Sequence, residues 1–257
     1  MASIHASLEG KTAIVTGGTR GIGAGICREV SRRGANLVIV YASESSTETA
    51  DRLAKELSSG VKRTIAVRAD LSAAPGEPEQ RIVDETVKTF GGVDILVNNA
   101  AKPAGPPLGE IKPSDFEESF RINAMAPMLL VQQVLPHLRR PARIINISSS
   151  IARTGGPGRA LLYVGTKAAL EAMSRCLARE LGDDGTTVNC VVPGPVDTDM
   201  MAKAPKELVE SSKMNTPVEH RLGRVEDIAA IVGFIASDEA RWISGQCINA
   251  SGGLLMN

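Results

Sequence analysis

Aromatic side chains are scarce in this chain, which has 257 residues but only four Phe, two Tyr and one Trp. The formal net charge is zero, and neither a basic run nor an aromatic-rich patch is present. A basic surface, often interleaved with aromatic rings, is the usual footprint of proteins that bind nucleic acid. The composition therefore predicts that nucleic acid is not a partner.

Cysteine and histidine are also few, and neither shows the spacing of metal ligands. The cysteines form no C-x-x-C pair and lie in apolar segments, which predicts small, buried, unpaired side chains. The histidines are scattered along the chain. No metal site is expected from these residues, which are Cys27, Cys176, Cys190, Cys247, His5, His137 and His220.

Long hydrophobic runs are absent too. No apolar stretch approaches the roughly 20 residues that span a bilayer. The segment Met1–His5 lacks the basic and apolar pattern of a signal peptide. We therefore expect a cytoplasmic protein without a membrane partner.

The chain instead shows a regular alternation of strand-like and helix-like segments. Continuous apolar runs such as Leu37–Tyr41 and Ile144–Ile147 are typical of strands buried on both faces of a parallel sheet. The alternation predicts one doubly wound (Rossmann) α/β domain over residues 1–257, with a seven-stranded parallel sheet and helices on both faces. The predicted strands are Thr12–Thr16, Leu37–Tyr41, Thr64–Ala69, Ile95–Asn98, Arg143–Ile147, Thr187–Val192 and Gln246–Asn249. The predicted helices are Gly21–Arg33, Ser46–Ser58, Pro78–Phe90, Pro113–Leu138 (with a break near Pro127), Leu161–Leu181, Pro205–Lys213 and Val225–Ser237.

A glycine-rich turn, T-G-G-T-R-G-I-G at Thr16–Gly23, joins the first predicted strand to the first predicted helix. Glycines let the backbone approach a phosphate closely, and the helix behind them presents free N–H groups. A tight turn without a ligand is the alternative interpretation of this stretch.

The segment of about 195–221 is less regular. It is polar, rich in methionine and interrupted by Pro205 and Pro217. It follows the carboxyl end of a strand, where open α/β sheets bind ligands. We predict a substrate lid here; a surface excursion is the alternative.

Tyr163 and Lys167 are four residues apart in a predicted helix, so their side chains share one face. An ammonium group near a phenol favours the phenolate and lowers the tyrosine pKa toward the range useful in acid–base catalysis. A serine just past the preceding strand could hydrogen-bond a substrate carbonyl. Ser148, Ser149 and Ser150 all qualify, and composition does not choose among them.

Together, T-G-G-T-R-G-I-G, N-N-A at Asn98–Ala100, Y-x-x-x-K at Tyr163–Lys167 and P-G at Pro193–Gly194 resemble the short-chain dehydrogenase/reductase family. The resemblance implies Tyr163 as general acid or base, and Lys167 as the group that holds the nicotinamide ribose. It selects Ser150, thirteen residues before the tyrosine, to polarise the carbonyl. Asn123 would complete a proton relay, and a homotetramer, or failing that a dimer, is expected.

The same resemblance implies a set of cofactor contacts along the sheet edge. Ala101 stands where the family usually has glycine after N-N-A, and we expect this methyl group to crowd the loop without abolishing binding. The cofactor set is Gly17, Thr19, Arg20, Gly21, Ile22, Gly23, Ala42, Ser43, Asp70, Leu71, Asn98, Ala100, Tyr163, Lys167, Pro193, Gly194, Val196 and Thr198.

The sequence favours NADP(H) over NAD. An acid at the end of the second strand would bind the ribose 2′-hydroxyl of NAD, but the chain has Ala42 and Ser43 there. Arg20 in the glycine turn could instead pair with a 2′-phosphate.

The run Leu37–Leu53 resembles fungal polyhydroxynaphthalene reductases and bacterial ketoacyl reductases. This resemblance implies an NADPH-dependent oxidoreductase that reduces a polyketide-like or cyclic ketone of secondary metabolism to a secondary alcohol. Oxidation of a secondary alcohol and a non-catalytic NADP-sensing protein are the alternatives. The predicted substrate pocket consists of Ser150, Ile151, Arg153, Leu161, Pro195, Met200 and Met201.

Overall fold

The computed structural model describes residues 7–60, 62–156 and 158–256. The amino-terminal segment used in the location prediction lies outside the described residues. Within them, seven strands form one parallel sheet in the order β3-β2-β1-β4-β5-β6-β7. The strands are β1 (Thr12–Thr16), β2 (Asn36–Tyr41), β3 (Thr64–Arg68), β4 (Val93–Asn98), β5 (Leu138–Ile147), β6 (Thr187–Pro193) and β7 (Cys247–Ala250).

Helices cover both faces of this sheet, as the sequence predicts. In the described ranges, none of them is both long enough and apolar enough to cross a membrane. The helices are α1 (Gly21–Arg32), α2 (Thr47–Leu57), α3 (Glu77–Phe90), α4 (Pro113–Phe120), α5 (Ala126–Val134), α6 (Ile151–Thr154), α7 (Leu161–Glu180), α8 (Lys206–Met214) and α9 (Val225–Ile235).

Alternate residues of the central strands face opposite sides of the sheet. Val15 and Ile39 pack with α1, α2 and α9 on one face. Ile14 and Val38 pack with α3 and α5 on the other. A slip of one residue would expose these side chains, so the two-sided core fixes the register. Because the strands are parallel, the carboxyl ends of β1, β4, β5 and β6 lie at the same edge of the sheet.

The predicted long helix over Pro113–Leu138 is interrupted. A π-helical turn, Arg121–Met125, separates α4 from α5, and α5 already ends at Val134. Pro127 has no backbone N–H and so cannot donate to the carbonyl of Asn123, four residues earlier. The N–H of Ala126 donates instead to the carbonyl of Arg121, five residues back. The helix end was thus predicted wrongly, while the break near Pro127 corresponds to this turn.

The cysteines differ in their surroundings. All four are free, and Cys27 and Cys190 are buried. Cys247 is half-buried, and Cys176 is exposed. The prediction of burial is wrong for Cys176, because apolar neighbours in the sequence do not determine which face of α7 a side chain takes.

Candidate active site

The glycine turn at the end of β1 has the shape of a phosphate site. Gly21 has a left-handed φ of +52°. A Cβ on Gly23 would lie 2.1 Å from the carbonyl oxygen of Gly17, so only glycine fits. No side chain caps the amino terminus of α1, and its first turn carries no acid. The free N–H groups and positive helix end therefore suit a phosphate.

Asn99, which the sequence reasoning did not single out, holds this turn in place. Its Nδ2 donates to the carbonyl oxygens of Thr16 (2.9 Å) and Gly17 (3.2 Å). The backbone N–H groups of Asn99 and Ala100 donate to Thr16 Oγ1 at 2.9 and 3.0 Å. These bonds tie the end of β4 to the glycine turn, and its N-N-A context was the signal that could have identified Asn99.

The segment after β6 forms the opposite wall of the same cleft. A Cβ on Gly21 would lie 3.4 Å from Thr198 Cγ2, so these two predicted cofactor contacts are neighbours. The backbone N–H of Gly194 donates to the carbonyl of Ala250 at 3.1 Å. Val196 is buried. This segment is therefore anchored at its start and reaches the glycine turn at Thr198.

The predicted ribose contacts lie at the end of β2 and in the glycine turn. Arg20 is exposed at the amino terminus of α1. Ser43 Oγ lies 3.0 Å from Ser45 Oγ and 2.9 Å from Ser46 Oγ. These exposed hydroxyls and a guanidinium offer donors suited to a phosphate group.

Asn98 is placed differently from its predicted role. Its side chain is 2% exposed, and Nδ2 donates to Asn146 Oδ1 at 2.8 Å. Asn146 in turn donates to Ser174 Oγ at 2.8 Å. The Asn98 side chain is committed to this buried network inside the sheet. The side chain therefore has a structural role, and the contact of Asn98 with the cofactor stays a prediction.

Tyr163 and Lys167 lie one turn apart on α7. Lys167 is buried, and its Nζ donates to the carbonyl of Ile147 at 2.6 Å. The same Nζ lies 5.7 Å from the centre of the Tyr163 ring. Burial lowers the pKa of Lys167 to about 8, with Cys190 opposing the shift.

The pKa of Tyr163 is raised by burial, and a hydrogen bond with Ser149 opposes the rise. The lowering of this pKa by Lys167 stays a prediction, since burial and the Ser149 hydrogen bond are the causes of the observed direction. The ammonium group points to the Ile147 carbonyl, so desolvation of the phenol dominates. A protonated tyrosine at neutral pH can donate a proton.

The three candidate serines have different partners. Ser148 Oγ donates to Glu171 Oε1 at 2.7 Å. Ser150 is 3% exposed, and its backbone N–H donates to the carbonyl of Pro193. Ser149 is the serine that hydrogen-bonds Tyr163. The choice of Ser150 to polarise the substrate carbonyl stays a prediction, and the interaction with Tyr163 makes Ser149 a second candidate for that role.

Asn123 reaches the tyrosine helix through a residue that the sequence reasoning missed. Its Nδ2 donates to Thr166 Oγ1 at 3.0 Å, and Thr166 donates to the carbonyl of Tyr163 at 2.7 Å. Asn123 also accepts from the backbone N–H of Lys102 at 2.7 Å and donates to its carbonyl at 3.0 Å. The Asn123 side chain therefore joins the π-turn, the loop after β4 and α7.

The predicted substrate residues differ in exposure and in pairing. Arg153 Nε lies 3.2 Å from Glu171 Oε2, so its guanidinium is already paired with an acid. Leu161 and Met200 are more than half exposed, at 51% and 57%. Ile151, Pro195 and Met201 are half-buried. The apolar members leave surface free for a ligand.

A family model described as enoyl-(acyl carrier protein) reductase matches residues 17–255. The short-chain dehydrogenase/reductase FrzI of a Cladobotryum species is 41% identical, over 97% of each chain. Versicolorin reductase stcU of Emericella nidulans is 35% identical, over 96% of each. Hydroxynaphthalene reductase arp2 of Aspergillus fumigatus is 37% identical, over 93% of this chain and 90% of its own length.

Solved structures share the whole fold. A blue fluorescent protein from a metagenomic library, solved with NADPH, superposes with a TM-score of 0.91 and 38% identity. It covers 97% of this chain and 100% of its own. A Burkholderia cenocepacia short-chain dehydrogenase solved with NADP gives a TM-score of 0.89 and 34% identity, over 96% and 99%. With its motifs in place and relatives matched end to end, this chain belongs to the short-chain dehydrogenase/reductase family.

Proposed function

We propose that this protein is an NADPH-dependent oxidoreductase that reduces a ketone to a secondary alcohol. The observation that carries the proposal is the convergence of Ser149, Tyr163 and Lys167 at the edge of the sheet that also holds the uncapped glycine turn. An alcohol dehydrogenase working oxidatively would use the same groups. A cofactor-sensing protein would have no chemical need for them.

The relatives support a cyclic or polyketide-like ketone as the substrate class. Versicolorin reductase and hydroxynaphthalene reductase are named for substrates of this kind. The chain is similar to both over nearly its full length.

The residues present fit a nicotinamide dinucleotide. Gly21 and Thr198 flank the space in front of the amino terminus of α1, where they would hold the pyrophosphate. Asp70 and Leu71 would flank the adenine. When bound, the reduced cofactor supplies the hydride.

Tyr163 supplies the proton in this mechanism. Its hydroxyl is protonated at neutral pH, because an ordinary tyrosine has a pKa of about 10, and it donates to the developing oxyanion of the substrate. Lys167 would hold the cofactor ribose from its buried position. Ser149 takes the role first predicted for Ser150: its hydroxyl donates a hydrogen bond to the substrate oxygen.

Arg20 and Ser43 would set the preference for NADPH. A guanidinium forms charge-assisted hydrogen bonds with a 2′-phosphate, and the clustered hydroxyls of Ser43, Ser45 and Ser46 add donors. The end of β2 carries no carboxylate to bind a ribose 2′-hydroxyl.

The segment of about 195–221 would act as the substrate lid within a single domain. It contains α8 and exposes several apolar side chains, which would find a partner when a hydrophobic ketone binds. Those side chains are Met200, Leu208, Met214 and Val218.

We further propose a cytoplasmic homotetramer, with a dimer as the alternative. Apolar side chains on α4, the π-turn, α5 and α7 remain substantially exposed in one copy, which marks an interaction surface. They are Phe116, Met125, Met128 and Leu161. Light scattering after gel filtration measures the mass directly, and a monomer at micromolar concentration would contradict this assembly.

The deciding experiment is NADPH oxidation against a panel of ketones, with NADH run in parallel. The panel spans cyclic diketones, hydroxynaphthalenones, acetoacetyl thioesters and steroid ketones. Turnover with a cyclic or aromatic polyketide ketone is expected. NADPH binding without turnover of any ketone, together with oxidation of a secondary alcohol by NADP, would establish the oxidative alternative. Binding without turnover in either direction would favour the sensing protein.

A further inference from the structure

The loop between β3 and α3 carries Asp70 and Leu71, the predicted adenine contacts. Asp70 Oδ1 shapes its first turn by accepting from the N–H (2.9 Å) and hydroxyl (2.7 Å) of Ser72. The rest of the loop is fixed by two buried charged side chains, Arg121 and Glu79. Neither residue belongs to the predicted catalytic, cofactor-binding or substrate set.

Arg121 and Glu79 both bind the loop backbone. Arg121 Nε donates to the carbonyl of Ala73 at 3.2 Å. Glu79 Oε2 accepts from the N–H of Gly76 at 2.9 Å. The two side chains pair directly, with Arg121 Nη1 at 2.7 Å from Glu79 Oε1, and are 8% and 0% exposed. The pair thus fixes both the middle and the end of the loop.

The other side of this pair leads to the catalytic helix. Arg121 is the first residue of the π-turn that also contains Asn123. Asn123 donates to Thr166 Oγ1, and Thr166 donates to the carbonyl of Tyr163. The π-turn therefore links the adenine loop to the backbone of the tyrosine, with side-chain contacts of Arg121 at one end and of Asn123 at the other.

We propose that Arg121 is a positioning residue which, with Glu79, holds the adenine loop in register with the π-turn and so prepares the site for NADPH. The proposal rests on the proposed function of the protein as an NADPH-dependent enzyme. Its consequence is that cutting the link weakens cofactor binding through the adenine half, while a cofactor already bound still reacts.

The test compares Arg121→Met, Glu79→Gln and the double variant with the unchanged protein. Each single change leaves a buried charge unpaired and lowers stability; the double change removes both charges and restores the melting temperature in large part. The double variant still lacks the Arg121 hydrogen bond to Ala73. We therefore expect the dissociation constant for NADPH, measured by fluorescence titration, to rise about tenfold. A rise of this size is in line with the loss of a hydrogen bond to a charged group.

The location of the effect is tested with adenosine 2′,5′-bisphosphate, which contains only the adenine half of the cofactor. Its dissociation constant, measured by competition with NADPH, is expected to rise by the same factor. In steady-state assays, KM for NADPH rises while kcat at saturating NADPH changes less. Arg121→Lys keeps a charge for Glu79 but lacks the planar donor fork. It should therefore fold normally and bind NADPH more weakly.

Asp94→Asn/Arg139→Met is the matched control, because Asp94 and Arg139 form an ion pair (2.6 Å) at the opposite edge of the sheet. This variant should lose stability and keep the NADPH dissociation constant of the unchanged protein. Wild-type affinity in the Arg121→Lys and double variants, or equal weakening in the control, overturns the positioning role. Failure of the unchanged protein to bind NADPH would instead overturn the proposed function.

Discussion

The two edges of the sheet contrast sharply in how they use polar side chains. At the edge where the strands begin, Asp94 is buried and accepts from the N–H of Thr12 (2.8 Å) and from Arg139 (2.6 Å). At the edge where the strands end, α1 begins without a side-chain cap, Arg20 is exposed, and Tyr163 is half-buried.

This difference separates a structural use of charge from a functional one. Buried polar groups normally find partners within the protein, and Asp94 does so at the amino edge. The carboxyl edge presents donors whose natural partner is a phosphate or a carbonyl oxygen, which is where open α/β sheets bind ligands. The contrast predicts that substitutions at the two edges damage different properties.

The largest effect is expected for Tyr163→Phe at the carboxyl edge. The change removes one hydroxyl and leaves the ring in place, so the proton donor is lost without a cavity. Turnover should fall by about 10²–10⁴-fold, the usual contribution of a general acid. Assays of NADPH oxidation measure kcat, and fluorescence titration measures the affinity for NADPH. That affinity should stay within about twofold of that of the unchanged protein, a difference of about 0.4 kcal/mol. Turnover above a tenth of the original rate would contradict the role of Tyr163 as the proton donor.

A second test at the carboxyl edge compares the variants Ser149→Ala and Ser150→Ala. Ser149 is the serine that hydrogen-bonds Tyr163, while Ser150 is buried beside β6. We expect kcat/KM to fall by about 10²-fold for Ser149→Ala, as for the loss of one donor to a developing oxyanion. Ser150→Ala should change it only a few-fold. The opposite order of effects would restore Ser150 to the role that the family spacing gave it.

The pattern of residues predicted the fold because burial on both faces leaves a strong signal. Continuous apolar runs marked the strands, and strict alternation with helices fixed a parallel sheet. The break near Pro127 followed from the missing N–H. The Arg121–Met125 turn itself did not, because the five-residue bond from Ala126 depends on how the helix packs.

Side-chain direction was the harder part of the site to predict. Asn98 belongs to a recognisable N-N-A motif, yet its amide points into the sheet toward Asn146. The three adjacent serines have different partners, and the backbone N–H of Ser150 donates to the carbonyl of Pro193, far away in the sequence. The spacing of Tyr163 and Lys167 was predictive of their shared face, but not of the lysine pointing to Ile147.

An intermediate effect is expected for Arg20→Glu, which reverses the charge beside the glycine turn. Repulsion between the new carboxylate and a 2′-phosphate should raise KM for NADPH by about tenfold or more, whereas KM for NADH changes little. The ratio of the two constants is the measurement, and Arg28→Glu, an exposed arginine elsewhere on α1, is the control. A ratio that stays the same in Arg20→Glu would contradict its contact with the phosphate.

The smallest effect on activity is expected at the amino edge, for Asp94→Asn. The amide oxygen can still accept from Thr12, but the charge that pairs with Arg139 and Lys11 is lost. Unfolding in urea should show a loss of about 1.5–3 kcal/mol, the range for a hydrogen bond to a charged group. At the same time, kcat/KM should stay within about twofold of the value for the unchanged protein. Sites that are far apart and share no partners usually affect one another by no more than about 0.4 kcal/mol. Ser149→Ala should show the reverse combination, with stability kept and activity lost. If Asp94→Asn reduced kcat/KM as much as Ser149→Ala, the two edges of the sheet would not be independent. A charged side chain that is paired within the protein could then no longer be assigned a purely structural role in this sheet.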